Sequence, residues 1–191
     1  MSKRNTKAEI FKEAARLFHE KGYSATSVRA IATAVGIEAS SLYSHIQSKA
    51  EILENICLDI ALQFTTGIKE IDSLPVTPMS KLELILNQHI DMAIEEPQTI
   101  TAFNQEWRHL EGEALKKFKR MRKQYEKVLL SIISEGQNEQ KIKPIDKEII
   151  LNTMLSSLRW LYFTKPSHLK RIKSDLQFAL KDIFLTGTQL S

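Results

Sequence analysis

Apolar residues recur at intervals of three and four along almost the whole chain, and this periodicity restricts the fold more than any other feature. The first clear example places Ile10, Ala14, Leu17 and Phe18 on one stripe, as expected for an amphipathic helix. No stretch alternates between apolar and polar residues for long enough to predict a strand. Glycines and prolines mark the breaks between the periodic segments, since both residue types end helices. The sequence therefore predicts an all-α protein of about nine helices, over residues 6–21, 27–34, 39–45, 49–71, 80–95, 97–109, 113–137, 146–164 and 167–186.

The excess positive charge lies at the amino-terminal end of the chain. The net charge is +4, and residues 1–49 hold eight Lys and Arg against four Glu. The rest of the chain holds equal numbers of basic and acidic residues. Such an asymmetry indicates that the amino-terminal end binds a polyanion.

The composition disfavours several other classes of protein. No apolar run approaches the ~20 residues needed to span a bilayer, and the amino terminus lacks the apolar segment of a secretory signal, so a cytoplasmic protein is expected. Cys57 is the only cysteine, which excludes an internal disulfide and a multi-cysteine metal site. His89 and Asp91 lie two residues apart on a predicted helix and face different ways, which disfavours metal sensing. Neither a nucleophile–base pair nor a phosphate loop is visible, so we expect no enzymatic activity and no cofactor.

Two short predicted helices flank Gly36. The turn between them needs a residue that tolerates positive φ, which Gly36 supplies, and their close packing needs a small residue, which Ala32 supplies. Ile37 and Leu42 are expected to pack toward the apolar residues of the first two helices. This pattern is typical of a helix-turn-helix, whose second helix lies in the major groove of DNA. The neighbouring residues are short or polar enough to approach bases and phosphates: Glu38, Ala39, Ser40, Ser41 and Ser44.

A longer segment around Gly36 resembles a known family. Residues 26–49 read TSVRAIATAVGIEASSLYSHIQSK, and residues 14–23 read AARLFHEKGY; both resemble the signature of the TetR family of bacterial regulators. The resemblance implies that Tyr43, His45 and Lys49 contact DNA phosphates, as do Thr26 and Arg29. Exposed N–H groups at the starts of the second and fourth helices would add to these contacts. The expected DNA-binding residues are Thr26, Ser27, Arg29, Glu38, Ala39, Ser40, Ser41, Tyr43, Ser44, His45 and Lys49.

Base reading is assigned to the short residues of the third helix, namely Glu38, Ala39, Ser40 and Ser44. The sequence departs from the family here, because many members have Lys or Arg plus Gly where this chain has Ala39 and Ser40. The Glu38 carboxylate is able to accept a hydrogen bond from a cytosine amine. Alternatively, it caps the helix or repels the DNA phosphates. The operator sequence is therefore not predictable from these residues.

The resemblance also implies how the chain is organised. Residues 1–48 form the DNA-binding domain, and residues 49–191 form a helical domain for ligand binding and dimerisation. Two-fold dimers bind near-palindromic operators, whose half-sites lie about one DNA turn apart. The last two predicted helices are the expected interface, although internal core is the alternative for their apolar residues. The expected interface residues are Ile150, Met154, Leu158, Leu161, Leu176, Leu180 and Phe184.

Aromatic and polar residues of the second domain are candidates for a sensing site, which requires an apolar cavity with a few polar groups. They are Phe103, Glu106, Trp107, Leu110, Arg122, Tyr125, Leu158 and Tyr162. A structural role in the core or at an interface is the alternative for Trp107. The order of a Glu-Trp-Arg-x-Leu run (residues 106–110), a basic helix with Arg-x-x-Tyr-Glu (residues 122–126), Gly136 and a late Trp resembles TetR-family regulators that respond to acyl-CoA thioesters. The basic run at residues 116–123 suits CoA phosphates, but an exposed helix face is the alternative.

The sequence thus predicts a homodimeric repressor that a small, largely apolar effector releases from a palindromic operator. An enzyme on a helical scaffold would need a catalytic set that is not visible. A helical adaptor that binds only protein would leave the basic amino-terminal end unexplained. Steep salt dependence of binding would distinguish DNA binding from either alternative.

Overall fold

The computed structural model describes the backbone of residues 3–187 and the side chains of residues 6–187. This part of the chain contains ten α-helices and no β-strand, which confirms the all-α prediction. None of these helices is long and apolar enough to cross a membrane. The helices are α1 Lys3–Lys21, α2 Val28–Val35, α3 Ala39–Tyr43, α4 Lys49–Ser73, α5 Pro78–Glu95, α6 Pro97–Glu106, α7 Gly112–Asn138, α8 Lys147–Leu158, α9 Pro166–Arg171 and α10 Lys173–Lys181.

The carboxy-terminal region departs from the prediction of two long helices. Helix α8 ends at Leu158 and continues as a 3-10 turn over Arg159–Phe163. The predicted helix over 167–186 is divided at Ile172, whose φ of −103° and ψ of 13° lie outside the helical region. A π-helical turn, Asp182–Thr186, follows α10. Local periodicity did not reveal these breaks, because the apolar spacing continues across them.

The chain forms two compact units that are not consecutive in sequence. The first unit comprises Met1–Leu62 and Gln98–Lys119, and the second comprises Gln63–Pro97 and Arg120–Ser191. The boundaries fall within α4, after the first residue of α6, and within α7. Each unit has its own buried apolar residues.

In the first unit, α1 packs against α2, and α2 packs against α3. Ile10, Phe18, Ile31 and Leu42 are fully buried, as the apolar periodicity predicts for the inward faces of these helices. Burying such side chains is the main source of stability for so small a module.

In the second unit, α5 packs against α9 and α10. Ile85 and Ile90 of α5 and Leu129 of α7 are fully buried. The ammonium of Lys81 is also withdrawn from solvent, with Nζ 3.3 Å from Asp72 Oδ1 and 3.6 Å from Glu135 Oε2. The two carboxylates compensate for the cost of burying this charge.

Candidate functional site

The turn between α2 and α3 is held by local hydrogen bonds. Ser27 is the N-cap of α2, and its Oγ accepts a hydrogen bond from Ala30 N at 3.1 Å. Gly36 ends the helix in the left-handed region, with φ of 75°. The Ile37 N–H donates to the Ala32 carbonyl at 3.0 Å, so a helix-end carbonyl is satisfied as the chain turns. The turn therefore has the conformation that the sequence predicts for Gly36.

Helix α3 presents a short polar face to solvent. Leu42 is fully buried and anchors the helix, whereas Tyr43 is 56% exposed. Glu38 lies at the N-cap position but makes no capping hydrogen bond with its side chain, so its carboxylate is exposed and not used by the helix. The Ser44 hydroxyl donates to the Ser41 carbonyl at 2.7 Å. Among the predicted DNA-binding residues, those exposed are Ser27, Arg29, Glu38, Ser40, Ser41, Tyr43 and Ser44, and those half-buried are Ala39, His45 and Lys49.

Thr26 has a structural position that the resemblance did not imply. Its side chain is buried, and its hydroxyl points to two backbone carbonyls, Gly22 O at 2.8 Å and Leu17 O at 3.3 Å. A hydroxyl has one proton to donate, and these carbonyls already receive it. The side chain of Thr26 therefore closes the loop between α1 and α2 and is not placed to donate to a phosphate.

Lys49 links the start of α4 to the same loop. Its Nζ donates to the carbonyls of Tyr23 and Thr26, both at 2.8 Å, and lies 4.2 Å from the centroid of the Tyr23 ring. An ammonium has three protons, so one remains for another acceptor. At the same helix end, the Ser48 hydroxyl accepts from Glu51 N at 3.1 Å, which satisfies one of the N–H groups expected to bind phosphate.

The ring of Tyr23 packs between two elements of the first unit. Besides Lys49, it contacts the His109 ring, with the centroids 5.1 Å apart. Partial burial raises the pKa of Tyr23, and the negative charges of Glu111 and Glu54 raise it further. The residues after α6 therefore help to hold the loop that binds Lys49.

The predicted sensing residues are divided between the two units. In the first unit, the Phe103 and Trp107 rings contact Phe118, with centroid separations of 5.5 and 5.4 Å. Glu106 is buried there, 3.3 Å from His109 Nε2, and Leu110 is also buried.

In the second unit, the predicted sensing residues Tyr125, Leu158 and Tyr162 are buried. Arg122 is exposed instead, and its Nε donates to Glu126 Oε1 at 2.8 Å. The structure therefore places three of these residues in the interior of the second unit and Arg122 on its surface.

A buried polar cluster joins Tyr125 and Tyr162 through a residue that the sequence analysis considered only as a metal ligand. His89 Nε2 is 2.8 Å from the Tyr125 hydroxyl oxygen, and His89 Nδ1 hydrogen bonds with the Tyr162 hydroxyl. The Phe64 ring packs on the imidazole, with centroids 4.7 Å apart. His89 lies four residues after Ile85, on the apolar stripe of α5, and this spacing could have identified it as a buried polar residue.

Both halves of the chain match models of a single family. Residues 10–56 match the model for bacterial regulatory proteins of the tetR family, and residues 75–163 match the model for the tetracyclin repressor-like carboxy-terminal domain. The chain belongs to the TetR family of bacterial transcriptional regulators. The amino-terminal match includes the whole α2–turn–α3 segment.

Individual members of the family are similar over most of their length. The HTH-type transcriptional repressor KstR2 of Mycolicibacterium smegmatis is 25% identical over 158 residues, which cover 80% of this chain and 77% of that protein. The crystal structure of the TetR-family regulator PfmR from Thermus thermophilus has a TM-score of 0.83 and 28% identity, covering 93% of this chain and 97% of that one. AibR, in complex with isovaleryl coenzyme A and operator DNA, has a TM-score of 0.81 at 21% identity, covering 94% of this chain and 98% of that one.

The predicted interface residues of this TetR-family regulator lie mostly inside the single chain. Ile150, Met154, Leu158, Leu161, Leu176 and Leu180 are buried, and Phe184 is half-buried. The reason is that each helix packs its most regular apolar stripe against its own unit. The same region exposes a second apolar set: Ile149, Trp160, Phe163, Phe178 and Ile183.

An apolar groove lies beside this exposed set in the second unit. It has a volume of about 160 Å³, and its walls include Ile149, Ile150, Met154 and Phe184. Small-molecule sites are usually about 300–1,000 Å³, so the groove is small for an effector. Its size suits one or two inserted side chains.

Proposed function

We propose that this TetR-family regulator is a homodimeric, cytoplasmic repressor without enzymatic activity, and that a small apolar effector releases it from a near-palindromic operator. The observation that carries the proposal is the α2–turn–α3 segment, where Leu42 is buried and Tyr43 is exposed beside a row of short polar residues. We assign operator binding to residues 1–48, and effector binding and dimerisation to residues 49–191.

Phosphate binding is assigned to residues on either side of the α2–α3 turn. Arg29 and Tyr43 are exposed, and His45 is half-buried at the end of α3. Lys49 retains one proton beyond those donated to the loop carbonyls, which suits a single phosphate contact. Such contacts position the protein on DNA without reading its sequence. We do not retain the side chain of Thr26 in this set.

Base reading is assigned to residues of α3 and to those that flank it. The candidates are Glu38, Ala39, Ser40 and Ser44, of which the alanine and the serines have short side chains that allow close approach to the major groove. The uncommitted carboxylate of Glu38 supports a role as acceptor from a cytosine amine. This assignment predicts that changes at Glu38 alter which operators are bound.

The effector is assigned to the acyl-thioester class. The complex of AibR with isovaleryl coenzyme A and operator DNA supports this class for a protein of the same fold. Tyr125, Leu158 and Tyr162 supply a buried, largely apolar environment with two hydroxyl groups. Because Arg122 is exposed and positively charged, we assign to it only a negatively charged part of the effector. Release requires that the effector bind one conformation of the dimer more tightly than the other.

Dimerisation is assigned to the exposed apolar residues of α8, α10 and the turns that follow them. Phe178 is 73% exposed and Ile183 is 64% exposed in the single chain, and exposed apolar surface of this kind marks an interaction site. In a two-fold dimer, the same residues of both subunits meet. A side chain of the partner subunit is the occupant that we propose for the apolar groove.

Selection of genomic DNA fragments by the purified protein tests operator binding. We expect recovery of one near-palindromic sequence, and we expect Tyr43→Ala to bind it more weakly while remaining dimeric. Retention of DNA without sequence preference, with steep salt dependence, would contradict the assignment of base reading to α3.

Sedimentation of a surface variant tests the interface. Phe178→Asp places a charge in the proposed apolar contact and should give monomers, because an unpaired charge is costly to bury. Leu62→Asp changes a residue of α4 that is 55% exposed and serves as the matched control. Equal dimer fractions for the two variants would exclude Phe178 from the interface.

A further inference from the structure

One segment of the chain belongs to different parts of the molecule by sequence and by packing. Residues 98–119 lie within the match to the carboxy-terminal domain, which covers residues 75–163. In the structure they form one compact unit with Met1–Leu62, which includes the whole amino-terminal match over residues 10–56. Side chains of this segment that contact the amino-terminal helices are therefore candidates for a role in operator binding.

Two side chains of the segment approach the loop between α1 and α2. The His109 ring packs against the Tyr23 ring, with the centroids 5.1 Å apart. Glu106 is buried, and its Oε2 lies 3.3 Å from His109 Nε2. Its Oε1 lies 3.8 Å from the position that a Cβ of Gly22 would occupy. Glu106 and His109 thus contact each other and approach two consecutive residues of the loop.

The same loop supplies the two carbonyls that bind Lys49. The Lys49 Nζ donates to the carbonyls of Tyr23 and Thr26, both at 2.8 Å, and lies 4.2 Å from the centroid of the Tyr23 ring. The three N–H bonds of an ammonium have fixed angles to one another, so two hydrogen bonds determine where the third proton points. The direction in which Lys49 donates to a phosphate is therefore set by the position of this loop.

The position of the loop also affects the cost of binding. A free lysine side chain samples many rotamers, and ordering such a side chain at an interface reduces affinity. The ammonium of Lys49 is already ordered by the two carbonyls. His109 is not a core residue, since 44% of its side chain is exposed. Its contact with Tyr23 is therefore better explained by positioning of the loop than by filling of the core.

We propose that His109, together with Glu106, positions Lys49 for an operator phosphate by holding Tyr23 in the loop between α1 and α2. The inference rests on the proposed function, in which Lys49 contacts a phosphate, and it extends operator binding to residues of the carboxy-terminal domain. His109 is a positioning residue, because it acts on the DNA only through Tyr23 and Lys49.

A double-mutant cycle of His109 and Lys49 tests the proposal. The probe is a labelled DNA duplex that carries the operator recovered by genomic selection, and fluorescence anisotropy measures its Kd with the full-length protein. His109→Ala should raise the Kd about tenfold, because the lysine must then be ordered on binding. In the Lys49→Met background the same change should have little effect, since no ammonium remains to be positioned. An equal loss in both backgrounds, or no loss in either, would overturn the proposal.

Two variants of Tyr23 test the ring contact. Tyr23→Phe keeps the ring on which His109 packs, whereas Tyr23→Leu removes the ring and keeps the backbone carbonyl. We expect the phenylalanine variant to bind the operator about tenfold more tightly than the leucine variant. His19→Ala removes an exposed histidine of the same unit and should leave the Kd unchanged. Equal affinities for the two Tyr23 variants would overturn the assignment to the ring.

Chemical labelling of Lys49 tests the positioning without DNA. Acetylation by sulfosuccinimidyl acetate requires the lysine nitrogen to give up its hydrogen bonds, and mass spectrometry measures the rate at each lysine. In His109→Ala, Lys49 should react faster relative to Lys21, which is exposed in the same unit. An unchanged ratio of the two rates would overturn the positioning. A higher ratio with unaltered operator affinity would overturn the phosphate contact of Lys49, which belongs to the proposed function, and leave only the contact between His109 and the loop.

Discussion

The proposed operator-binding surface and the buried cluster of the second unit use polar groups in opposite ways. On the operator-binding surface, Tyr43 and Glu38 are exposed, and the ammonium of Lys49 has one proton left for a phosphate. In the cluster, His89 and Tyr125 are withdrawn from water and hydrogen bond with each other. A surface that meets a hydrated polyanion gains from exposed charge, whereas an interior site is limited to groups that remain neutral when buried.

The two regions also differ in how they are encoded. The proposed operator-binding residues lie within residues 26–49, so a local motif is enough to predict them. The cluster joins residues that are 36 and 73 positions apart, and no local pattern brings them together. A family signature is therefore informative about the first region and uninformative about the second.

Replacing Lys49 should give the largest effect. Lys49→Met keeps a similar side-chain length but removes the ammonium that anchors the loop between α1 and α2. We expect the operator Kd to rise about 100-fold, since charge-assisted hydrogen bonds contribute about 1.5–3 kcal/mol each. We also expect the slope of log K against log salt to fall by about 0.9, the value for one lost phosphate contact.

Titration of operator DNA at several salt concentrations measures both quantities. Lys21→Met removes an exposed lysine of the same unit and serves as the control for net charge. If the two variants weaken operator binding equally, Lys49 contributes only to the net positive charge of the unit. The proposed specific contact between Lys49 and a phosphate would then be wrong.

Acidification should destabilise the protein through His89. The pKa of His89 is lowered to about 3 in the folded protein, against about 6.5 when unfolded. Between these values the unfolded state binds a proton that the folded state does not, so the free energy of unfolding falls as pH falls. The contribution is at most about 1.4 kcal/mol per pH unit.

Chemical denaturation of the wild type and of His89→Gln between pH 6.5 and 5 measures the contribution of His89. Aspartate and glutamate side chains also change stability with pH, but they are the same in both proteins. The variant should lose stability less steeply. His19→Gln, which removes an exposed histidine of the first unit, should follow the wild type. Parallel curves for all three proteins would mean that His89 is not held neutral by burial.

Ser27 should give the smallest effect and separates capping from phosphate binding. Ser27→Ala removes the acceptor for Ala30 N and should cost about 1 kcal/mol of stability. Ser27→Asp restores a good N-cap but places a carboxylate next to the expected phosphate. The alanine variant should therefore unfold at a lower temperature than the wild type. The aspartate variant should bind operator DNA more weakly than the wild type. Wild-type operator affinity in Ser27→Asp would place the phosphate elsewhere.

Much of the fold and part of the candidate site were predictable from the sequence. The apolar stripe of α1 and the turn at Gly36 were predicted because both depend on residues close together in the chain. Thr26 was assigned to phosphate by resemblance, but its burial depends on carbonyls up to nine residues away. Most of the expected interface residues of α8 and α10 are likewise buried within the single chain. Periodicity identifies an apolar face and does not say whether the same chain or a partner covers it.

The sequence by itself determined the all-α fold, the helix-turn-helix and the family, because helical periodicity, turn conformation and signature residues are local properties. Only the tertiary structure decided that His89 joins Tyr125 to Tyr162, that Lys49 holds the loop after α1, and that residues 98–119 form one compact unit with the amino-terminal helices. The physical reason is that burial and hydrogen bonding depend on which surfaces meet. Such meetings are set by the packing of helices distant in sequence, and by the cost of leaving a buried polar group unpaired.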